Sequence, residues 1–159
     1  MNDQPITQLA EVLAVEEHVH LELRKLLAEE RERMLELDAE SLYELATRKE
    51  ILAEEGRLAR DARTKVISDL ARSLGLPEAG ITLSQICVAL GDAAAPLRAA
   101  QSRLLAIVSA VAELSEANQR LGGDRLADVQ TTLQLLGRLA PTAGQGSSRR
   151  GGNLVQRSA

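Results

Sequence analysis

The chain has 159 residues, a formal net charge of −4 and a single aromatic residue, Tyr43. An acidic chain with almost no aromatic rings lacks both the basic face that meets phosphates and the surfaces on which bases stack, so we expect no nucleic-acid partner. No apolar run approaches the ~20 residues that span a bilayer, and the N-terminus lacks the basic start and apolar run of a signal peptide. The single cysteine, Cys87, precludes an intramolecular disulfide. These features predict a cytoplasmic protein without stable membrane insertion.

The first half of the chain predicts two long amphipathic helices joined by a very short turn. The first runs from about Ile6 to Leu37, and its apolar residues recur at spacings of three and four, which is typical of a helix lying along another helix. They are Ile6, Leu9, Leu13, Leu23, Leu27, Met34 and Leu37. Asp38 is a candidate N-cap for the second helix, which ends at Leu74 before Gly75. So short a joint favours an antiparallel hairpin that buries both apolar stripes.

The second half predicts a short helix and a third long one. Thr82 and Gln85 match the two ends of a capping box, which starts a helix that ends by Gly91. The third long helix begins between Asp92 and Pro96 and carries an apolar stripe to Leu121. Gly122-Gly123 then interrupts the pattern, and either a kinked continuation or a clean break is compatible with the residues that follow.

The elements together predict an all-α fold, which we describe as an elongated antiparallel helical bundle with a long coiled-coil-like hairpin and a kinked C-terminal helix. Residues 1–141 are expected to form a single helical bundle domain. Residues 142–159 are rich in Gly, Ser and Arg. That composition cannot bury enough apolar surface to order itself, so we predict a flexible basic tail.

No residue pattern in the chain indicates catalysis or a cofactor. Glu17-His18-Val19-His20 contains the Glu-x-x-His of di-iron bundles. Such a site needs a second copy, and the chain has no other histidine. We expect His20 on the helix seam, His18 outward and Cys87 as a small packed hydrophobe. The acidic pairs Glu29-Glu30 and Glu54-Glu55 are expected on solvated faces. The sequence therefore predicts a protein that is not an enzyme, without metal or cofactor.

Asn118 lies on the third apolar stripe, between Leu114 and Leu121. A seam asparagine often fixes the register of packed helices through a buried hydrogen bond. We therefore predict that Asn118 sets the seam register, and a cap or kink at the following glycine pair is the alternative.

The segment Leu26-Leu27-Ala28-Glu29-Glu30 is followed by Asp38 and then by the spaced residues Leu42, Leu45, Lys49 and Leu52. This order resembles the FlgN family of flagellar export chaperones. That family shows a Leu-Leu-x-x-Glu helix ending, an acidic joint and then Leu-x-x-Leu-x-x-x-Lys-x-x-Leu-Leu. The matching residues here are Leu26-Leu27-Ala28-Glu29-Glu30, Leu35, Asp38, Leu42, Leu45, Lys49, Leu52, Arg63 and 70–75, followed by 81–86 and Asn118-Gln119-Arg120-Leu121-Gly122. The resemblance covers roughly residues 6–140.

The resemblance implies a cytoplasmic type III export chaperone. Such a chaperone binds the C-terminal amphipathic helices of hook-associated junction proteins, prevents their premature assembly and delivers them to the export gate. The C-terminal part of the family contributes heavily to cargo binding. The residues offer a candidate cargo surface there, the stripe Leu126, Val129, Leu133 and Leu136; the alternative is that this stripe packs on the first two helices. A different class of function, a self-associating coiled-coil or helical adaptor subunit, also remains open, as does the oligomeric state.

Overall fold

The computed structural model describes residues 4–139, and all regular structure in that range is helical. The helices are α1 (Gln4–Glu36), α2 (Ala39–Ser73), α3 (Leu83–Leu90) and α4 (Ala95–Leu139), with a 3-10 turn at Gly91–Ala94. The predicted all-α helical bundle is confirmed. Its described residues group into two compact units, one ending at Asp124 and one beginning at Arg125. The tail predicted at 142–159 lies outside the described residues, and the single domain over 1–141 stays a prediction.

The turn between α1 and α2 is as short as the sequence indicates. The Asp38 amide donates to the Arg33 carbonyl at 3.0 Å. The Asp38 carboxylate then caps α2 by accepting from the Ser41 amide at 3.1 Å, which confirms its predicted role. Leu37 was expected on the buried stripe, and this expectation is wrong. Leu37 is the residue that reverses the chain, with a φ of 58° and a side chain 58% exposed.

Two ion pairs between α1 and α2 show the antiparallel register of the hairpin. Glu16 Oε2 accepts from Arg63 at 2.7 Å, and Glu30 Oε1 accepts from Lys49. The step from Glu16 to Glu30 is fourteen residues forward on α1, and the step from Arg63 to Lys49 is fourteen residues back on α2. Fourteen residues are two heptads, so both pairs belong to one coiled-coil register.

The largest continuous core lies at the end of the hairpin away from the turn. Leu9 and Leu13 on α1 pack there with Val66 and Leu70 on α2, and α3 and the start of α4 close the cluster. The buried members from α3 and α4 are Leu83, Ile86, Cys87, Leu90, Leu97, Ala100 and Leu104. The capping box of α3 is present as predicted, with Thr82 and Gln85 each bonding the other's backbone.

Helix α4 runs parallel to α1 along the first unit. Arg103 bonds Glu17 at 3.1 Å, Asn118 bonds the Leu27 carbonyl at 2.7 Å, and a Cβ placed on Gly122 would lie 3.7 Å from the Met34 sulfur. From the first contact to the last, the residue numbers increase on both helices, as they do when two helices run in the same direction. The helix continues without a break through Gly122-Gly123, which resolves the choice that the sequence left open in favour of continuation.

Candidate functional site

The predicted cargo stripe is an exposed apolar face of α4. Leu126, Val129, Leu133 and Leu136 are 59%, 40%, 62% and 58% exposed. Their 3–4–3 spacing brings all four side chains to one side of a helix with 3.6 residues per turn. Large aliphatic side chains that share one exposed face are typical of a surface that binds a partner. Their assignment to cargo remains a prediction.

The stripe can be compared with the inward residues of α4 in the first unit by their positions around the helix. The inward residues of that unit follow a 3–4 rhythm that ends at Leu114, Asn118 and Leu121. The same rhythm would next reach residues 125, 128 and 132, which are Arg, Asp and Thr. That rhythm drifts by ~20° per heptad against a straight helix of 3.6 residues per turn. Val129 and Leu136, eleven and eighteen positions after Asn118, therefore lie within ~20° of Asn118 around the helix axis. The stripe is therefore on nearly the same side of α4 as Asn118, and it differs from the inward residues of the first unit in being exposed.

The edges of the stripe are nearly free of unpaired charge. Arg125 and Thr132 flank one edge, and Gln130 and Gly137 flank the other. The Arg125 guanidinium lies 3.9 Å from the Asp128 carboxylate, and the Thr132 hydroxyl donates to the Asp128 carbonyl at 2.9 Å. Arg125 Nε is buried without a hydrogen-bond partner among the described residues. Apart from this group the edges carry little charge, so the surface suits the apolar face of a partner better than a charged ligand.

Asn118 is buried between α4 and α1, where only 2% of it is exposed. Its side-chain amide nitrogen donates to the Leu27 carbonyl at 2.7 Å and to Glu30 Oε2 at 3.0 Å. Its oxygen has no partner among the described residues. Asn118 thus makes specific polar contacts between α4 and α1. Its role in setting the register of these helices stays a prediction.

Sequence reasoning missed the partner of Asn118. Glu30 was expected on a solvated face, but it is only 8% exposed and bonds both Asn118 and Lys49. The available signal was its heptad phase: Glu30 follows Leu9 and Leu23 on the same seam position, at multiples of seven residues. An acidic residue at such a position requires a buried partner.

The two histidines and the cysteine were the remaining candidate residues for catalysis or metal binding. His18 is exposed, and His20 Nδ1 contacts the Glu16 carbonyl at 2.7 Å. Cys87 is buried in the core as predicted, and burial raises the pKa of its thiol. Between residues 4 and 139, no cluster of three His, Cys, Asp or Glu side chains is arranged to hold a metal ion.

Comparison with known proteins identifies the family. The FlgN protein family matches residues 1–150 of the chain. No curated protein and no solved structure matches it. FlgN proteins are chaperones rather than enzymes, and the match supports a general role in flagellar export. In the described part of the chain, no helix has the length and apolar character to cross a membrane.

Proposed function

Because the chain belongs to the FlgN family, we propose that it is a cytoplasmic chaperone for hook-associated junction proteins. In this proposal it binds the C-terminal amphipathic helix of each cargo, prevents premature assembly and delivers the cargo to the export gate. The observation that carries the proposal is the exposed stripe Leu126, Val129, Leu133 and Leu136. A stripe of this spacing complements the apolar face of a single partner helix.

Each partner exposes an apolar face when it is alone. A free amphipathic cargo helix presents an apolar face that promotes aggregation, and the chaperone stripe presents another. Burying each large aliphatic side chain contributes ~1.5–3 kcal/mol before the costs of association and ordering are subtracted. Four such residues contribute at most ~6–12 kcal/mol, and the costs of association are of similar size, so binding through this stripe alone would be weak and reversible. A chaperone requires reversible binding because it must release its cargo.

Two aspartates in the stripe provide the test. Val129→Asp with Leu133→Asp would place two charges in the middle of the buried contact. We expect binding of the C-terminal segments of hook-associated proteins to weaken at least a hundredfold, a factor that corresponds to ~2.8 kcal/mol. Isothermal calorimetry would measure the affinity, and circular dichroism would verify that the variant remains folded.

The matched control places the same two charges on the other side of the same helix. Thr131→Asp with Gln134→Asp adds equal charge and equal loss of helix propensity away from the stripe. We expect this variant to bind cargo like the parent. A stripe variant that folds and binds as tightly as the parent, or a control that loses binding equally, would place the cargo surface elsewhere.

The alternative of a self-associating adaptor relied on the apolar stripe of the first two helices. Leu9, Leu13, Leu27 and Leu45 of that stripe are buried within a single chain. They are therefore already used in the hairpin, and no observation on the described residues favours this second function. Light scattering across a range of concentrations would detect self-association directly.

A further inference from the structure

One buried carboxylate contacts all three long helices. Glu30 lies on α1, its Oε1 accepts from Lys49 on α2, and its Oε2 accepts from Asn118 on α4. Among the described residues, the Lys49 ammonium group bonds Glu30 and no residue of α4. Helices α2 and α4 are therefore connected at this level through Glu30.

The surroundings of Asn118 allow only one orientation of its amide. Both groups within reach, the Leu27 carbonyl and the Glu30 carboxylate, are acceptors. The NH₂ group must face them, because the reverse orientation would set an oxygen against two oxygens. A bond to a carboxylate is stronger than a bond between neutral groups, so the bond to Glu30 is the stronger of the two that Asn118 donates.

Helix α4 has little else to hold it near the turn end of the hairpin. The continuous core includes α4 only as far as Leu104. Beyond that residue, Val111 and Asn118 are the buried side chains of α4 in the described range. Ile107, Leu114 and Leu121 are half-buried, so the buried bond of Asn118 is one of the few fully buried contacts of α4 at this level.

We infer that Lys49, Glu30 and Asn118 form a relay through which closure of the α1–α2 hairpin stabilises the docking of α4. Lys49 neutralises and orients the Glu30 carboxylate, and the carboxylate in that orientation accepts from Asn118. Loss of Lys49 would leave a buried carboxylate without its counter-ion, and the bond to Asn118 would weaken with it. The relay belongs to the free chain and does not depend on the proposed cargo surface.

Hydrogen exchange of the full-length chain tests the relay. Lys49→Met removes the charge from α2, and we expect the α4 amides of residues 114–124 to exchange at least fivefold faster. The matched control is Arg48→Met. Arg48 also pairs α2 with α1, at 3.5 Å from Glu29, yet Glu29 bonds nothing on α4 in the described chain. We expect the control to change the same amides less than twofold.

A second variant distinguishes the relay from a general loss of stability of the fold. Asn118→Leu fills the site without a hydrogen bond, and Lys49→Met in that background should accelerate α4 exchange far less than it does in the parent. Lys49→Gln, which retains a donor, replaces Lys49→Met if circular dichroism shows that the methionine variant is unfolded. The relay would be overturned if Lys49→Met and Arg48→Met accelerated α4 exchange equally. It would also be overturned if Lys49→Met accelerated α4 exchange by the same factor in the Asn118→Leu background as in the parent.

Discussion

Burial of the Glu16 carboxylate costs free energy that its ion pair with Arg63 only partly offsets. This carboxylate is buried on the α1–α2 seam, with Arg63 on one oxygen and no partner on the other among the described residues. Burial raises the pKa of Glu16 above its ordinary value of 4.5, and the nearby Arg63, His20 and Arg60 side chains lower it less. Removal from water outweighs the ion pair, as expected when a carboxylate is only half satisfied.

This shift predicts a pH dependence with a definite sign. Because the folded pKa is raised, the folded chain binds the Glu16 proton more readily than the unfolded chain does. The contribution of Glu16 to the free energy of unfolding should therefore increase as pH falls from neutral through the raised pKa toward 4.5. We expect the difference in unfolding free energy between the parent and Glu16→Gln to shift in favour of the parent over this window, measured by urea denaturation.

The comparison with Glu16→Gln is needed because other carboxylates titrate oppositely. Hydrogen bonds from Ser41 lower the pKa of Asp38, so its contribution is lost as pH falls through that lowered pKa. The parent and the variant share Asp38, and its effect cancels in the difference. A difference that stays constant, or that moves against the parent in acid, would contradict the assignment.

At the scale of elements, the hairpin turn contains a conformation that its residue does not prefer. Leu37 has a φ of 58°, in the left-handed region where glycine usually ends a helix. A side chain there costs ~1–2 kcal/mol. Because Leu37 is largely exposed, little packing repays this cost within the described chain. The turn is short because Asp38 caps α2 immediately afterwards.

Leu37→Gly should stabilise the fold. Relief of the strained conformation outweighs the ~0.4–1 kcal/mol that glycine loses through the greater freedom of the unfolded chain, so we expect a net gain of ~0.5–1 kcal/mol. Leu35→Gly is the matched control, since Leu35 is also exposed but lies within α1. It should cost ~1 kcal/mol. Thermal and urea denaturation would measure both, and destabilisation by Leu37→Gly would contradict the argument.

The elements that sequence predicted well are those set by local chemistry. The Asp38 cap and the capping box at Thr82 and Gln85 each involve residues three positions apart, and so their contacts are visible in the sequence. The left-handed conformation of Leu37 was not predictable in this way, because the residue there is not glycine. The glycine pair at 122–123 raised the question of a break, yet each glycine costs a helix only ~1 kcal/mol, and α4 continues.

Contacts between distant residues were harder to predict. Glu30 and Lys49 are nineteen positions apart, and Asn118 lies a further sixty-nine along the chain. Only the hairpin register brings them together, and the sequence offered no independent measure of that register. The candidate stripe was predictable as a pattern, since its period is local. Its partner cannot be read from this chain, because the recognising residues belong to another protein.

At the scale of the whole molecule, stability and the proposed binding surface belong to different parts of the chain. The buried core residues all precede Asp124, whereas residues 126–138 are exposed. A segment that buries little contributes little to the free energy of unfolding. Mutations in the stripe are therefore expected to change partner binding more than folding, which is the property that makes the aspartate test informative.

A chain ended after Asp124 should separate the two properties. Since the removed side chains up to residue 138 are exposed, we expect the shortened chain to remain helical and to melt within a few degrees of the parent. It should lose measurable binding to the C-terminal segments of hook-associated proteins. A second chain ended after Pro141 keeps the stripe but lacks residues 142–159, so retained binding there would assign cargo recognition to α4 rather than to the tail. If the chain truncated after Asp124 still binds cargo with parental affinity, recognition belongs to the first unit. If that chain fails to fold, residues beyond Asp124 contribute to stability as well as to binding.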